Sequence, residues 1–284
     1  MKRPQLPLSR RTLALVAATM ATVSLAIGAH AALNMRALDA AKAVATDLGS
    51  DPATKVSRVA LIIGNGHYPD AGAPLTQAIN DARALSAALR HDGFDVDVIE
   101  DASKDDMARA MDRLRGKIRS DSVVLLFFGG YGIQVGRQSY MIPVDATIWD
   151  EKDVRHYGVA VEAVLEVMKS QGARAKLVVL DASRLNPYER RYRPNSHGLA
   201  PIIAPAGALV LSSATPGQIA TDVAGEHSVL IGELLTHLDK GESVKTMFDK
   251  TRIAIIKSTS GAQVPSVSDS LLDNIRLATA EAGR

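Results

Sequence analysis

The chain contains no cysteine in its 284 residues. That absence excludes disulfides, thiolate metal sites and a thiol nucleophile. It does not report on compartment, because an exported protein need not be crosslinked. The first thirty-one residues hold no acid, yet they include Lys2, Arg3, Arg10 and Arg11. Setting that segment aside turns the formal net charge from +2 to −2. A near-neutral domain offers no electrostatic footprint for nucleic acid. No internal repeat is visible, and no constellation of ligating residues has metal-site spacing, so neither a metal nor another cofactor is expected.

What is present begins with an address. Basic residues lead into the apolar run from Leu13 to about Gly28, and Ala29-His30-Ala31 offers a small-x-small cleavage site. This is the layout of a secretory signal peptide over residues 1–31. Ser9-Arg10-Arg11-Thr12-Leu13 looks like a twin-arginine export signal. The alternative is a membrane tether, since Thr12 to Leu33 is just long enough to span a bilayer. Either way the remainder is expected outside the cytoplasm, periplasmic or secreted if cleaved, or anchored at the inner membrane if not. Residues 32–57 read as a helical spacer, 58–275 as the folded domain and 276–284 as a tail.

The chain is 46% hydrophobic, enough for a sizeable core. The body alternates strand and helix. Val59 to Ile63, Val123 to Phe128, Leu177 to Leu180 and Ala208 to Ser212 are short continuous apolar runs, the pattern of strands buried on both faces. Phe94 to Ile99 alternates like a strand near a sheet edge. Helical spacing marks Asn80 to Arg90, Met107 to Ile118, Val159 to Met168, Val229 to Leu238 and Val244 to Ile256. This alternation predicts an α/β three-layer sandwich, a mostly parallel sheet with helices on both faces. Ligands of such sheets bind at the carboxyl ends of the strands. Two segments sit there, Gly129-Gly130-Tyr131-Gly132 and Asp181-Ala182-Ser183-Arg184, and they lie side by side if their strands are neighbours.

Tyr131 precedes Ser183 by 52 residues. In caspases and their relatives a catalytic histidine precedes the cysteine by about 50. Arg58 to Asn65, Asn80 to Leu85, Gly93 to Val96, Tyr140 to Ala146, Ala214 to Gln218 and Gln263 to Pro265 are similar to further blocks of the bacterial members, in consistent order over roughly 57–270. The chain therefore resembles the caspase-like or metacaspase family of peptidases. The resemblance implies that Tyr131 stands where the family has its histidine and Ser183 where it has its cysteine. It also implies that Asp81 and Asp181 occupy the positions of an acidic pocket that selects Arg or Lys. Gly129 takes the place of a pocket-lining serine. The basic stretch Tyr188 to Arg193 stands where calcium-dependent members are acidic, so no calcium site is expected.

Both replacements weaken the same chemical step. A free tyrosine titrates near 10 and histidine near 6.5, so tyrosine as a base costs about 4 kcal/mol more at neutral pH. A serine hydroxyl is a weaker acid than a thiol and needs a base more. His67, His156, His197 and His227 are scattered and read as surface residues. Simpler roles exist for the acids: Asp181 as a cap on its own loop's N–H groups, and Asp81 as a first-turn helix acid. The run Arg184 to Arg193 reads as a solvated loop, with a docking patch as its alternative. Gly64-Asn65-Gly66 lacks the rest of a dinucleotide fingerprint, and Gly129 to Gly132 lacks the lysine of a phosphate loop. The expectation is an exported pseudopeptidase that binds a peptide or protein partner through the old cleft, with Tyr131 and Ser183 hydrogen-bonded to each other. The alternative is a hydrolase using Ser183 as nucleophile and Tyr131 as base or oxyanion donor.

Overall fold

The computed structural model describes residues 56–277 except 71–73, 193–196, 221–223 and 239–240. The expected signal, most of the spacer and most of the tail lie outside the described residues. The main sheet has six strands. In chain order they are β1 (Arg58–Gly64), β2 (Asp95–Glu100), β3 (Val123–Gly129), β7 (Ala175–Asp181), β8 (Ala208–Ser212) and β9 (Ser266–Asp269). Their spatial order is β2-β1-β3-β7-β8-β9, all parallel except the β8–β9 pair. The expected three-layer α/β sandwich is what forms.

The layers arise from the period of two along each strand. One set of alternate side chains, including Leu61, Ile63, Leu126, Phe128, Val178 and Leu180, packs beneath α2 (Lys104–Lys117) and α4 (Val161–Ser170). The other set, including Ala60, Ile62, Leu125, Phe127, Leu177 and Val179, packs against α1 (Thr76–His91), α5 (Val229–Leu238) and α6 (Val244–Ser258). Because both faces are covered, β1, β3, β7 and β8 read as unbroken apolar runs. The alternating strand β2 lies at the sheet edge, as its sequence indicates.

Three differences from the sequence reading have physical causes. Helix α1 starts at Thr76 rather than Asn80, and the residue before it, Leu75, makes no side-chain cap bond. Without a Ser, Thr, Asp or Asn cap the start leaves no mark in sequence. By contrast α2 begins one residue after Ser103, whose capping box with Asp106 fixes that end. A second, three-stranded sheet was not anticipated: β4 (Gly132–Val135), β5 (Gln138–Met141) and β6 (Val159–Ala160), with α3 (Glu151–Tyr157) beside it. Strands of two to four residues are too short to show a period. Finally, the last strand begins at Ser266, immediately after the family-like block Gln263 to Pro265 rather than within it. Pro265 has no N–H to give to a ladder.

Helix α1 carries Asp81, and its close seating on β1 fixes where that acid lies. A Cβ built on Gly64 would lie 2.5 Å from the Ala78 carbonyl oxygen and 2.7 Å from the Ala82 Cβ. Gly64→Ala is therefore expected to push α1 off the sheet and cost about 1–3 kcal/mol. Urea unfolding should show a lowered midpoint with an unchanged slope.

Candidate functional site

Strands β3 and β7 are neighbours, and Gly129 pairs with Asp181 at the last step of their register. The two loops beyond them stay joined. The Gly130 N–H donates to the Asp181 carbonyl at 3.2 Å, and the Gly132 N–H donates to the Ala182 carbonyl at 2.9 Å. The glycines are required by closeness rather than by backbone angle. A Cβ on Gly130 would meet the Tyr68 hydroxyl at 2.5 Å, and one on Gly132 would meet the Leu199 Cδ2 at 2.5 Å.

The tip of β1 completes the floor. Asn65 is fully buried; its N–H donates to the Gly129 carbonyl and its side-chain oxygen accepts from the Ala102 N–H. Its amide nitrogen donates to the Ile142 carbonyl at 3.2 Å. The Tyr68 hydroxyl donates to the same Ile142 carbonyl and accepts from the Tyr131 N–H at 3.1 Å. Asn65 and Tyr68 were not singled out in sequence as functional residues.

Tyr131 itself is buried, and its ring packs edge-to-face on Tyr68 with centroids 4.8 Å apart. It belongs to an apolar cluster that includes Ile133, Tyr140, Ile142 and Tyr188. Ser183 is 1% exposed, and its Oγ is buried with no hydrogen-bond partner among the described residues. The expected bond between the two hydroxyls is therefore not made, nor does any histidine among the described residues bond Ser183. A cover accounts for the burial of the serine. Its carbonyl accepts from the Ala220 N–H at 2.6 Å, and a Cβ built on Gly198 would lie 3.6 Å from the Ser183 Cβ. Gly198 has φ +63, a conformation suited to glycine, and any larger residue would strike the Gln218 carbonyl.

The two acids come into one electrostatic neighbourhood, and each differs from its simpler reading. Asp81 lies on the second turn of α1, whose first turn holds no acid. It is fully buried, accepts from the Ser228 N–H at 3.2 Å, and has the His227 Nδ1 at 3.0 Å from its Oδ1. Burial pushes its carboxyl up to about 6; the negative charge of Asp181 adds to the rise, and the bonds from Ser228 and His227 oppose it. Asp181 does not cap its own loop as a simple turn residue would. It is paired with Arg184, Nη2 to Oδ2 at 3.1 Å, and both side chains are buried. A tight turn, with the Arg184 N–H donating to the Ala182 carbonyl at 3.0 Å, folds the arginine back onto the strand end.

His227 and Arg184 thus correct two sequence readings. His227 is partly buried and bonded to Asp81, whereas His67 stays at the surface, paired with Asp101. Of the run after Ser183, Arg184, Asn186 and Tyr188 are buried, whereas Leu185 and Arg190 are exposed. Tyr188 is 1% exposed and packs in the aromatic cluster with Tyr131. The Asn186 amide donates to the Tyr192 carbonyl at 2.7 Å and ties the loop to itself. Arg191 pairs with Asp70 and stacks over Trp149 at 4.7 Å. The signal that could have found this is the interleaving of Tyr188 and Tyr192 among the charges.

This architecture is that of a caspase-like domain. The family model for the caspase domain matches residues 57–275, and the chain belongs to that family. Among solved structures, protein GSU0716 from Geobacter sulfurreducens is similar in fold. It has a TM-score of 0.58 and 17% identity, over 79% of this chain and 100% of that one. No curated protein matches the chain.

The raised Asp81 carboxyl gives a pH dependence of stability. The fold retains the Asp81 proton up to about pH 6, whereas the ordinary carboxyl releases it near 3.8. The stabilisation is therefore complete below about pH 4 and is lost as the pH rises through 6. Compared with Asp81→Asn, which keeps the acceptor oxygen and cannot ionise, the wild type should lose about 2–3 kcal/mol between pH 4 and 7. Parallel pH–stability curves for the two proteins would mean that His227 and Ser228 hold Asp81 ionised throughout.

Proposed function

We propose that this member of the caspase-domain family is a non-catalytic pseudopeptidase, exported from the cytoplasm, that binds a peptide or protein partner at the former active-site cleft. The burial of the Ser183 Oγ, with no base bonded to it, carries this reading. A serine nucleophile needs a base within about 2.6–3.2 Å. Tyr131 supports the same reading, since its ring is committed to the packing against Tyr68 that holds the loop. What survives is recognition: strand tips at the carboxyl edge of the sheet, with two acids beside them.

The purified domain should not react with a fluorophosphonate probe, and it should not release fluorophore from peptides ending in Arg or Lys. Labelling that disappears in Ser183→Ala would establish the hydrolase reading instead. Export is tested separately by replacing both Arg10 and Arg11 with Lys. The protein should then accumulate in the cytoplasm, because the twin-arginine pair is the address. Unchanged export of that variant would assign the segment to another route.

A further inference from the structure

Two buried carboxylates in one neighbourhood need cationic partners, because an unpaired charge is very costly in a dry site. Here the chain supplies its own. Asp181 is 2% exposed and its bonded partner Arg184 is 5% exposed, so the pair is taken almost wholly out of water. Arg184 also lines a cavity of about 200 Å³ with Leu75, Thr76, Gln77 and Gly225, beside the start of α1. The far wall is fixed by the Gln77 amide, which donates to the carbonyls of Gly225 and His227, next to the Asp81 partners. The arginine therefore lines the cavity and is bonded to Asp181, the neighbour whose charge Asp81 feels.

We propose that Arg184 is an intramolecular occupant of an arginine-binding pocket, so that an external Arg-bearing peptide engages the acids only when Arg184 is displaced. This rests on the reading that the cleft binds without cutting. The short reach is set by sequence: Arg184 is three residues beyond Asp181, and the turn at Ala182 brings the guanidinium back to the carboxylate. Guanidinium is the matched chemistry, since its planar fork suits a carboxylate in a way that an ammonium does not. The Asp81 carboxyl is a second acceptor in the same neighbourhood, already held by Ser228 and His227.

The test is chemical rescue. Arg184→Ala and Arg184→Met remove the cation, the second keeping most of the aliphatic volume. Each is refolded and melted with guanidinium chloride up to concentrations on the order of 10 mM, with sodium and tetramethylammonium chloride as ionic-strength controls. Guanidinium should raise the Tm of both variants saturably, by several degrees, with no effect on the wild type. The rise should vanish in Arg184→Met combined with Asp181→Asn. Acetyl-arginine amide should bind Arg184→Met at least tenfold more tightly than the wild type. Equal binding to both proteins would overturn the proposal, as would a Tm gain reproduced by the control salts. So would failure of both variants to fold even with guanidinium present. Probe labelling of Ser183 reports a different event, so loss of the non-catalytic reading and loss of this one are separately visible.

Discussion

Everything at the carboxyl edge of this domain depends on the pairing of β3 with β7. Their parallel register puts Gly129 opposite Asp181, and two backbone bonds extend the contact beyond the strands to Gly130 and Gly132. Parallel pairing on both sides of β3 means that the strand is buried on both faces and has no freedom to slide, because a one-residue slip would exchange its two core faces. The positions of Tyr131 and Ser183 are thus inherited from the sheet core. Their chemistry can change while their placement does not.

The same rigidity lets the strand tips hold a tyrosine and a serine without moving. Tyrosine brings an aromatic ring where the surrounding residues already form an apolar cluster, and the ring is absorbed by Tyr68 and its neighbours. Serine is small and neutral, so its burial beneath Gly198 costs only an unmet hydroxyl, on the order of 1–3 kcal/mol. Each acid has a local partner, Arg184 for Asp181 and Ser228 with His227 for Asp81.

The sheet strands were legible because burial on both faces leaves continuous apolar runs. Val123 to Phe128 and Leu177 to Leu180 could be read as buried strands from pattern alone, but that they are neighbours, with their tips side by side, is shown only by the fold. The small sheet was not legible, because Gly132 to Val135, Gln138 to Met141 and Val159 to Ala160 are too short to set a period. At the site, Tyr131, Ser183 and Asp181 emerged from their places after strands and from family resemblance, and Asp81 from the resemblance alone. Arg184, Asn65, Tyr68 and His227 did not, because the partners that give them meaning are distant in sequence or hidden by a turn. A buried arginine amid other arginines looks like any exposed one until the chain is folded.

One surface detail of the loop after Ser183 has a practical side. Trp149 is the single tryptophan of the chain, it is well exposed, and the Arg191 guanidinium lies over its ring. The segment that carries Arg191 starts at the turn holding Arg184. Any movement of that segment away from the aromatic cluster changes what covers the indole, which then meets water instead of a cation. The molecule therefore contains a built-in optical gauge of whether this loop is seated, readable as intrinsic fluorescence in the unlabelled protein.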